Sequence, residues 1–358
     1  MFSRNGGFMH RKSTGVSTWL AMLLLLVSSV GHAKDEPTPL RVDASFNVAD
    51  TAAKGFSIAD TKALKGVKRV AVPVFAVEFI TADNVSAKTS GFGSAGRASM
   101  TSYFKLLGVG EADFQAITDA LYLAFLAELK TSGVEVLEAQ QVIAAPSYRK
   151  LVAGTTPAPI KSDSSMMMSP PGLGIYGFAK MGGGNSAKSK GLFGALSDVG
   201  GGFAAVGAIG DTIQLSTELD ASTIEVRMRV NFAQLTNENK GFFGSLSNTA
   251  TTSAKVFPSV DNVMMGVQSG PMRSTVTLNH TLTLNESAFT EVRDKASTTG
   301  DVVGAVAVGL LKLAIGSKDS SDSTEREVVA DPAKYQQIVG AGLNTAGSLL
   351  VARMKTER

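Results

Sequence analysis

Side chains able to do chemistry are scarce in this chain. Cysteine is absent, which removes thiol nucleophiles, thiolate metal sites and disulfides. Of three histidines, His10 and His32 fall in an N-terminal leader, so His280 stands alone in the body of the chain. That excludes a multi-histidine metal site, and a Ser–His–Asp triad on any other histidine. His280 shares the face of an alternating segment with Val276, Leu278, Leu282 and Leu284, so it is expected to be a packed core residue rather than a catalyst. Carboxylates are plentiful, at 31 Asp and Glu. A carboxylate pair could serve a hydrolase, but no spacing singles one out. Met166-Met167-Met168 offers soft ligands of the kind copper takes. Three consecutive residues on a strand point to alternating faces, so packing is expected instead. Gly-x-Gly occurs at Gly91, Gly108 and Gly172 without the rest of a dinucleotide fingerprint, and no phosphate-loop motif is present. No catalytic residue, metal ligand or cofactor is therefore assigned.

One pattern does recur. Ser-Ala-Lys-x-x-Gly appears at Ser86–Gly91 and Ser186–Gly191, and Lys-Gly-x-Phe-Gly-x-Leu-Ser at Lys190–Ser197 and Lys240–Ser247. Each copy follows a segment that reads as extended: Val74–Ile80, Gly174–Phe178 and Val226–Phe232. Glycine admits sharp turns and serine competes for local hydrogen bonds, so strand-following loops at the sheet rim are expected. Compositional bias toward Gly, Ser and Lys accounts for such loops. Two alternatives stay open, a remote internal duplication and an interaction surface. In the second, Phe92, Phe193, Phe242 and Phe243 would sit at loop tips and dock a protein partner or a membrane headgroup region.

The elements that must position these residues are legible in part. Val67–Ile80 is almost continuously apolar and β-branched after Arg69, as suits a strand buried on both faces. Pro73 inside it predicts a bulge or an edge. Phe114, Ile117, Leu121, Phe125 and Leu129 form one apolar stripe, predicting a helix over Glu111–Ser132 that stops at Gly133. Val134–Leu137 reads as a strand, and Glu138 to about Ala144 as a short helix ending before Pro146. Regularity fails from Gly154 to Gly210, with a short helix from Phe203. Ser222–Leu235 and Arg273–Leu284 each alternate apolar and polar residues, predicting two antiparallel neighbours, each with a dry and a wet face. Asp301–Gly316 predicts a helix. Asp331-Pro332 opens a last helix, with Asp as cap and Pro at the first helical position, expected to lie against the sheet.

The N-terminus combines Arg4, Arg11 and Lys12 with a short apolar core, Trp19–Val27, and Gly31-His32-Ala33. This is the layout of a secretory signal peptide cut after Ala33. The chain holds 34 basic and 31 acidic residues; removing three basic ones leaves 31 against 31. A balanced chain carries no electrostatic footprint for nucleic acid. Without cysteine it cannot be a lipoprotein, and it must hold itself together with a core.

Lys68–Phe75, the helix ending Leu126–Gly133, and Val134–Glu138 together resemble the periplasmic α/β domains of envelope proteins related to the curli-secretion lipoprotein and the N-terminal domain of the Tol-Pal propeller protein. The resemblance covers residues 67–143, about a fifth of the chain. The lipidated cysteine is missing here, so no pore-forming role and no functional residue carries over. The expected architecture is α/β, with α+β as alternative: a mixed sheet flanked by helices, with long Gly/Ser-rich loops. Residues 1–33 are expected to be a signal peptide and 34–66 a flexible lead. Residues 67–358 are expected to form an exported domain with an irregular insertion at about 154–215. The expected function is that of a periplasmic or secreted, non-enzymatic cell-envelope binding or assembly component with a protein or envelope partner. The alternative is a secreted hydrolase using a carboxylate pair.

Overall fold

The computed structural model describes residues 38–89, 97–176, 203–237, 249–295, 302–305, 310–315 and 321–358. Strand β1 (Leu40–Arg41), helix α1 (Val48–Lys54) and β2 (Phe56–Ala59) lead into the central strand β3 (Arg69–Ile80). A hairpin follows, β4 (Ala82–Lys88) and β5 (Ser99–Leu107), and then helix α2 (Glu111–Thr131). Next come β6 (Glu135–Val136), α3 (Ala139–Ala144), α4 (Pro146–Val152), β7 (Ile160–Lys161) and β8 (Ser165–Met168). Helix α5 (Phe203–Glu218) precedes three strands, β9 (Ser222–Asn237), β10 (Ala250–Ser269) and β11 (Met272–Leu278). Strands β12 (Leu282–Thr283), β13 (Phe289–Asp294), β14 (Val302–Ala305), β15 (Leu310–Ile315) and β16 (Ser321–Ala330) complete the sheets, and α6 (Pro332–Glu357) ends the chain.

These strands form two mixed sheets, so the α/β architecture expected from the sequence is the one observed. The main sheet runs β1-β12-β10-β9-β3-β8-β7; the second runs β14-β13-β16-β5-β4. Strand β10 is the spine of the main sheet. One edge pairs with β9 along nearly its whole length, and the other is shared in turn by β15, β12 and β11. It stays extended past Pro258 because register shifts fall between Val256 and Ser259 and between Asp261 and Met264, where Asn262 adopts φ +48°. Because β10 lies between them, the two alternating segments expected to be antiparallel neighbours do not pair with each other. Both pair antiparallel to β10 and so run parallel to each other.

The apolar core lies under α2 and α6. All five stripe residues of α2 are buried. Phe79 stacks on Phe114 with ring centroids 4.4 Å apart, and Phe75 meets Tyr122 and Phe125 at 5.3 and 5.5 Å. Helix α2 stops where Gly133 takes φ +84°. Helix α6 begins as expected: the Asp331 carboxylate accepts from the Lys334 amide and Pro332 follows. A Cβ added at Gly342 would lie 2.5 Å from the methyl groups of Leu284, so a larger residue there would have to push Leu284 aside. Pro73 lies in central β3, at a register shift between Ala71 and Val74 in the pairing with β9: a bulge, and not an edge.

Three further expectations differ from the structure. From Thr38 on, the supposed flexible lead is built in: β1 pairs with β12 and β2 with β11. Within 301–316, the described residues are strands, β14 beside β13 and β15 beside β10, where a helix was expected. Small and β-branched residues read as either element, and pairing with an existing edge decides. The region from Gly154 holds β7, β8 and the 16-residue helix α5.

Candidate functional site

Strand β9 carries the site because both of its faces are buried. Ile224, Val226, Met228, Val230 and Phe232 belong to the apolar core. Between them come Glu225, Arg227, Arg229 and Asn231, expected to face water. Instead Glu225 is 3% exposed and Arg227 7%. Cross-strand partners make this burial tolerable. Glu225 accepts from Arg273 Nη2 at 3.0 Å. Arg227 Nη2 donates to the Tyr176 carbonyl at 3.2 Å. Arg229 grips Asp261 with two parallel bonds, Nε–Oδ1 2.7 Å and Nη2–Oδ2 2.8 Å. On β3, opposite Arg229, Glu78 is fully buried and accepts from Ser165 Oγ at 2.8 Å.

Electrostatics follow from this placement. Burial pushes the pKa of Arg227 down to about 10, against the pull of Glu225. Burial also works against the charge of Arg229. The hydrogen bonds and charge of Asp261 more than compensate, and its pKa stands above the ordinary arginine value. Burial, aided by Glu225, holds the Tyr176 phenol well above its usual range. Tyr176 Oη, Thr223 Oγ1 and Gln268 Oε1 are among the buried polar atoms on this side that find no hydrogen-bond partner among the described residues.

Beyond Arg229 the charged stripe opens into a cleft of about 750 Å³. It lies where the chain leaves the main sheet at Ile80 and enters the second sheet at Ala82. The main sheet contributes Arg229 and Asn231 from β9, and the turn before β8 contributes Asp163 and Ser164. Opposite stand Asp83 of β4, Tyr103, Phe104 and Lys105 of β5, and Glu325, Arg326 and Glu327 of β16, with Lys295 just beyond β13. Four cations and four carboxylates thus line the cleft. Glu325 holds Lys295 at 2.6 Å and Glu327 holds Arg293 at 2.7 Å.

Arg326 is the least satisfied of these groups. Its side chain is 10% exposed, and its ion pair among the described residues spans 3.9 Å, Nη2 to Asp294 Oδ2, too long for a hydrogen bond. Its Nε is buried and meets no acceptor. A buried donor left unpaired costs about 1–3 kcal/mol, a cost that an anion in the cleft would relieve.

The candidate residues taken from the sequence lie elsewhere. Phe92, Phe193, Phe242 and Phe243 fall outside the described residues. The first repeated stretch starts inside β4, and the third joins β9 to β10. His280 sits in a bend between β11 and β12, half-buried, with Nδ1 3.0 Å from the Thr38 carbonyl oxygen, and so is not on the apolar face of a strand. The methionines do diverge: Met167 packs with Ala76 and Ile175, while Met168 joins the main core. Among the described residues no group of three or more His, Asp and Glu side chains could hold a metal ion, and no helix is long and apolar enough to cross a membrane.

The alternation of Arg227 and Arg229 with apolar neighbours is visible in the sequence and predicts a wet face there. It marks a two-sided strand but does not say what covers the second side. No protein-family model, no curated protein and no solved structure matches the chain.

Proposed function

We propose that this chain is a non-enzymatic binding component of a periplasmic or secreted assembly, with the cleft between its two sheets as the ligand site. The observation that carries this is Arg326, a desolvated guanidinium without a close partner among the described residues, in a cleft of ligand size. Such a group recognises an anion through its planar fork of N–H donors. The leader ending in Gly31-His32-Ala33 supports export, and so does the resemblance of residues 67–143 to envelope α/β domains.

Two measurements on protein from its own cells test this. Fractionation with N-terminal sequencing should place it outside the cytoplasm with Lys34 first. Native mass spectrometry should find a small molecule that leaves unchanged on denaturation. Cytoplasmic protein starting at Met1 would overturn export. The hydrolase alternative rests on the carboxylates Asp83 and Asp163 in the same cleft. Turnover of a retained molecule, abolished by Asp83→Asn or Asp163→Asn, would establish it in place of binding.

A further inference from the structure

Building on the binding function above, we propose that the cleft takes a small zwitterion, an amino acid or short peptide, with its carboxylate on Arg326 and its amine on Asp163. Size permits it, since about 750 Å³ falls within the range of pockets that enclose whole small ligands. The Arg326 guanidinium presents a planar fork that matches a carboxylate, and its ion pair to Asp294 is long at 3.9 Å. Charge balance selects against a polyanion: Lys105, Arg229, Lys295 and Arg326 are matched by Asp83, Asp163, Glu325 and Glu327. A ligand with one charge of each sign fits this lining; a phosphate or dicarboxylate brings a second negative charge against the acids.

The amine is assigned by what the other acids already do. Glu325 and Glu327 hold Lys295 and Arg293, and Asp83 accepts from the Asn84 amide at 2.7 Å. Asp163 is exposed in the turn before β8 and makes no ion pair among the described residues. The same cleft is lined by Ile80 and Phe104, which are apolar, and by the aromatic ring of Tyr103.

Titration calorimetry of the full chain tests this with dialanine, N-acetyl-dialanine, succinate and inorganic phosphate. Dialanine should bind tighter than the other three. Arg326→Gln should weaken dialanine at least about tenfold, the loss expected for a hydrogen bond to a charged group, with the melting temperature unchanged. Asp163→Asn, at an exposed turn, keeps the test open should Arg326→Gln not fold. It should weaken dialanine and leave N-acetyl-dialanine as it was. Equal or tighter binding of succinate or phosphate would overturn the zwitterion, as would dialanine affinity untouched by Asp163→Asn. If none of the four binds while native mass spectrometry still finds a retained molecule, the ligand class is wrong and the binding function stands. If the chain hydrolyses dialanine, both fall.

Discussion

The two sides of β9 are buried by different means. On one, Ile224 to Phe232 interlock with the rings of β3 and α2, and stability comes from shape and area removed from water. On the other, Glu225 and Arg227 are buried and Arg229 is largely enclosed, and each charge depends on a named partner. An apolar side tolerates exchange of one hydrocarbon for another of similar volume. A charged side does not, because removing one member strands the other. The charged side is also the one that runs into the cleft, at Arg229 and Asn231.

Substitution can break this contrast most sharply on the apolar side. Phe75 is fully buried between Tyr122 and Phe125, so Phe75→Ala should cost about 3–5 kcal/mol in a denaturant titration. Phe75→Leu should cost much less. If Ala and Leu prove equal, packing is not what holds that side.

On the charged side a smaller loss is expected, with a different signature. Glu225→Gln removes the charge facing Arg273 and should cost about 1.5–3 kcal/mol, as for hydrogen bonds to charged groups. Replacing both residues by methionine should restore part of it, because Arg273 is then no longer stranded, while buried Arg227 still loses the pull of Glu225. A double variant no more stable than the worse single variant would mean that the pair does not act as a unit.

Alkaline titration should show the smallest effect and separates the sides by sign. Burial pushes the Tyr122 phenol up to about 12, with Glu138 adding to it. The folded chain therefore keeps a proton that an unfolded tyrosine loses near its usual value of about 10. The stability from Tyr122 is complete below pH 10 and is lost as pH rises through 12. Tyr148, Tyr176 and Tyr335 are shifted the same way, all chiefly by burial. Arg227 opposes them: its folded form releases a proton near 10, before the unfolded form does, so its penalty is relieved as pH climbs. Four phenols against one guanidinium give a net loss of stability above pH 10. Tyr122→Phe should flatten that loss, and Arg227→Met should steepen it. Reversal of either slope change would contradict the assignment.

Much of the fold was legible where one periodicity dominated. The stripe of α2, the apolar run of β3 and the Asp331-Pro332 start of α6 each state their geometry locally. Strand β10 did not, because Pro258, Asn262 and Gly266 cut its 20 residues into pieces that look like loops. Only pairing with β9, with a register shift at the first two, makes it one strand. Strands β14 and β15 read as a helix because Val, Ala, Gly and Leu in a row carry no alternation. The cleft was hidden for a different reason. Asp83, Asp163, Arg229 and Arg326 are far apart in the chain, and the crossing from the main sheet to the second brings them together. Their types were visible and their convergence was not.

The parallel pairing of β3 with β9 also fixes an order of events in time. Val70 lies opposite Ser222, 152 positions later, and Leu40 opposite Leu282, 242 positions later. β6 and β8 reach β3 earlier, but a ribosome that has released β3 must make about half of the remaining chain before β3 meets β9. Contacts this remote in sequence form slowly. The nascent chain therefore lacks the centre of its main sheet until about two-thirds of its length exists, and the topology of that centre sets the delay.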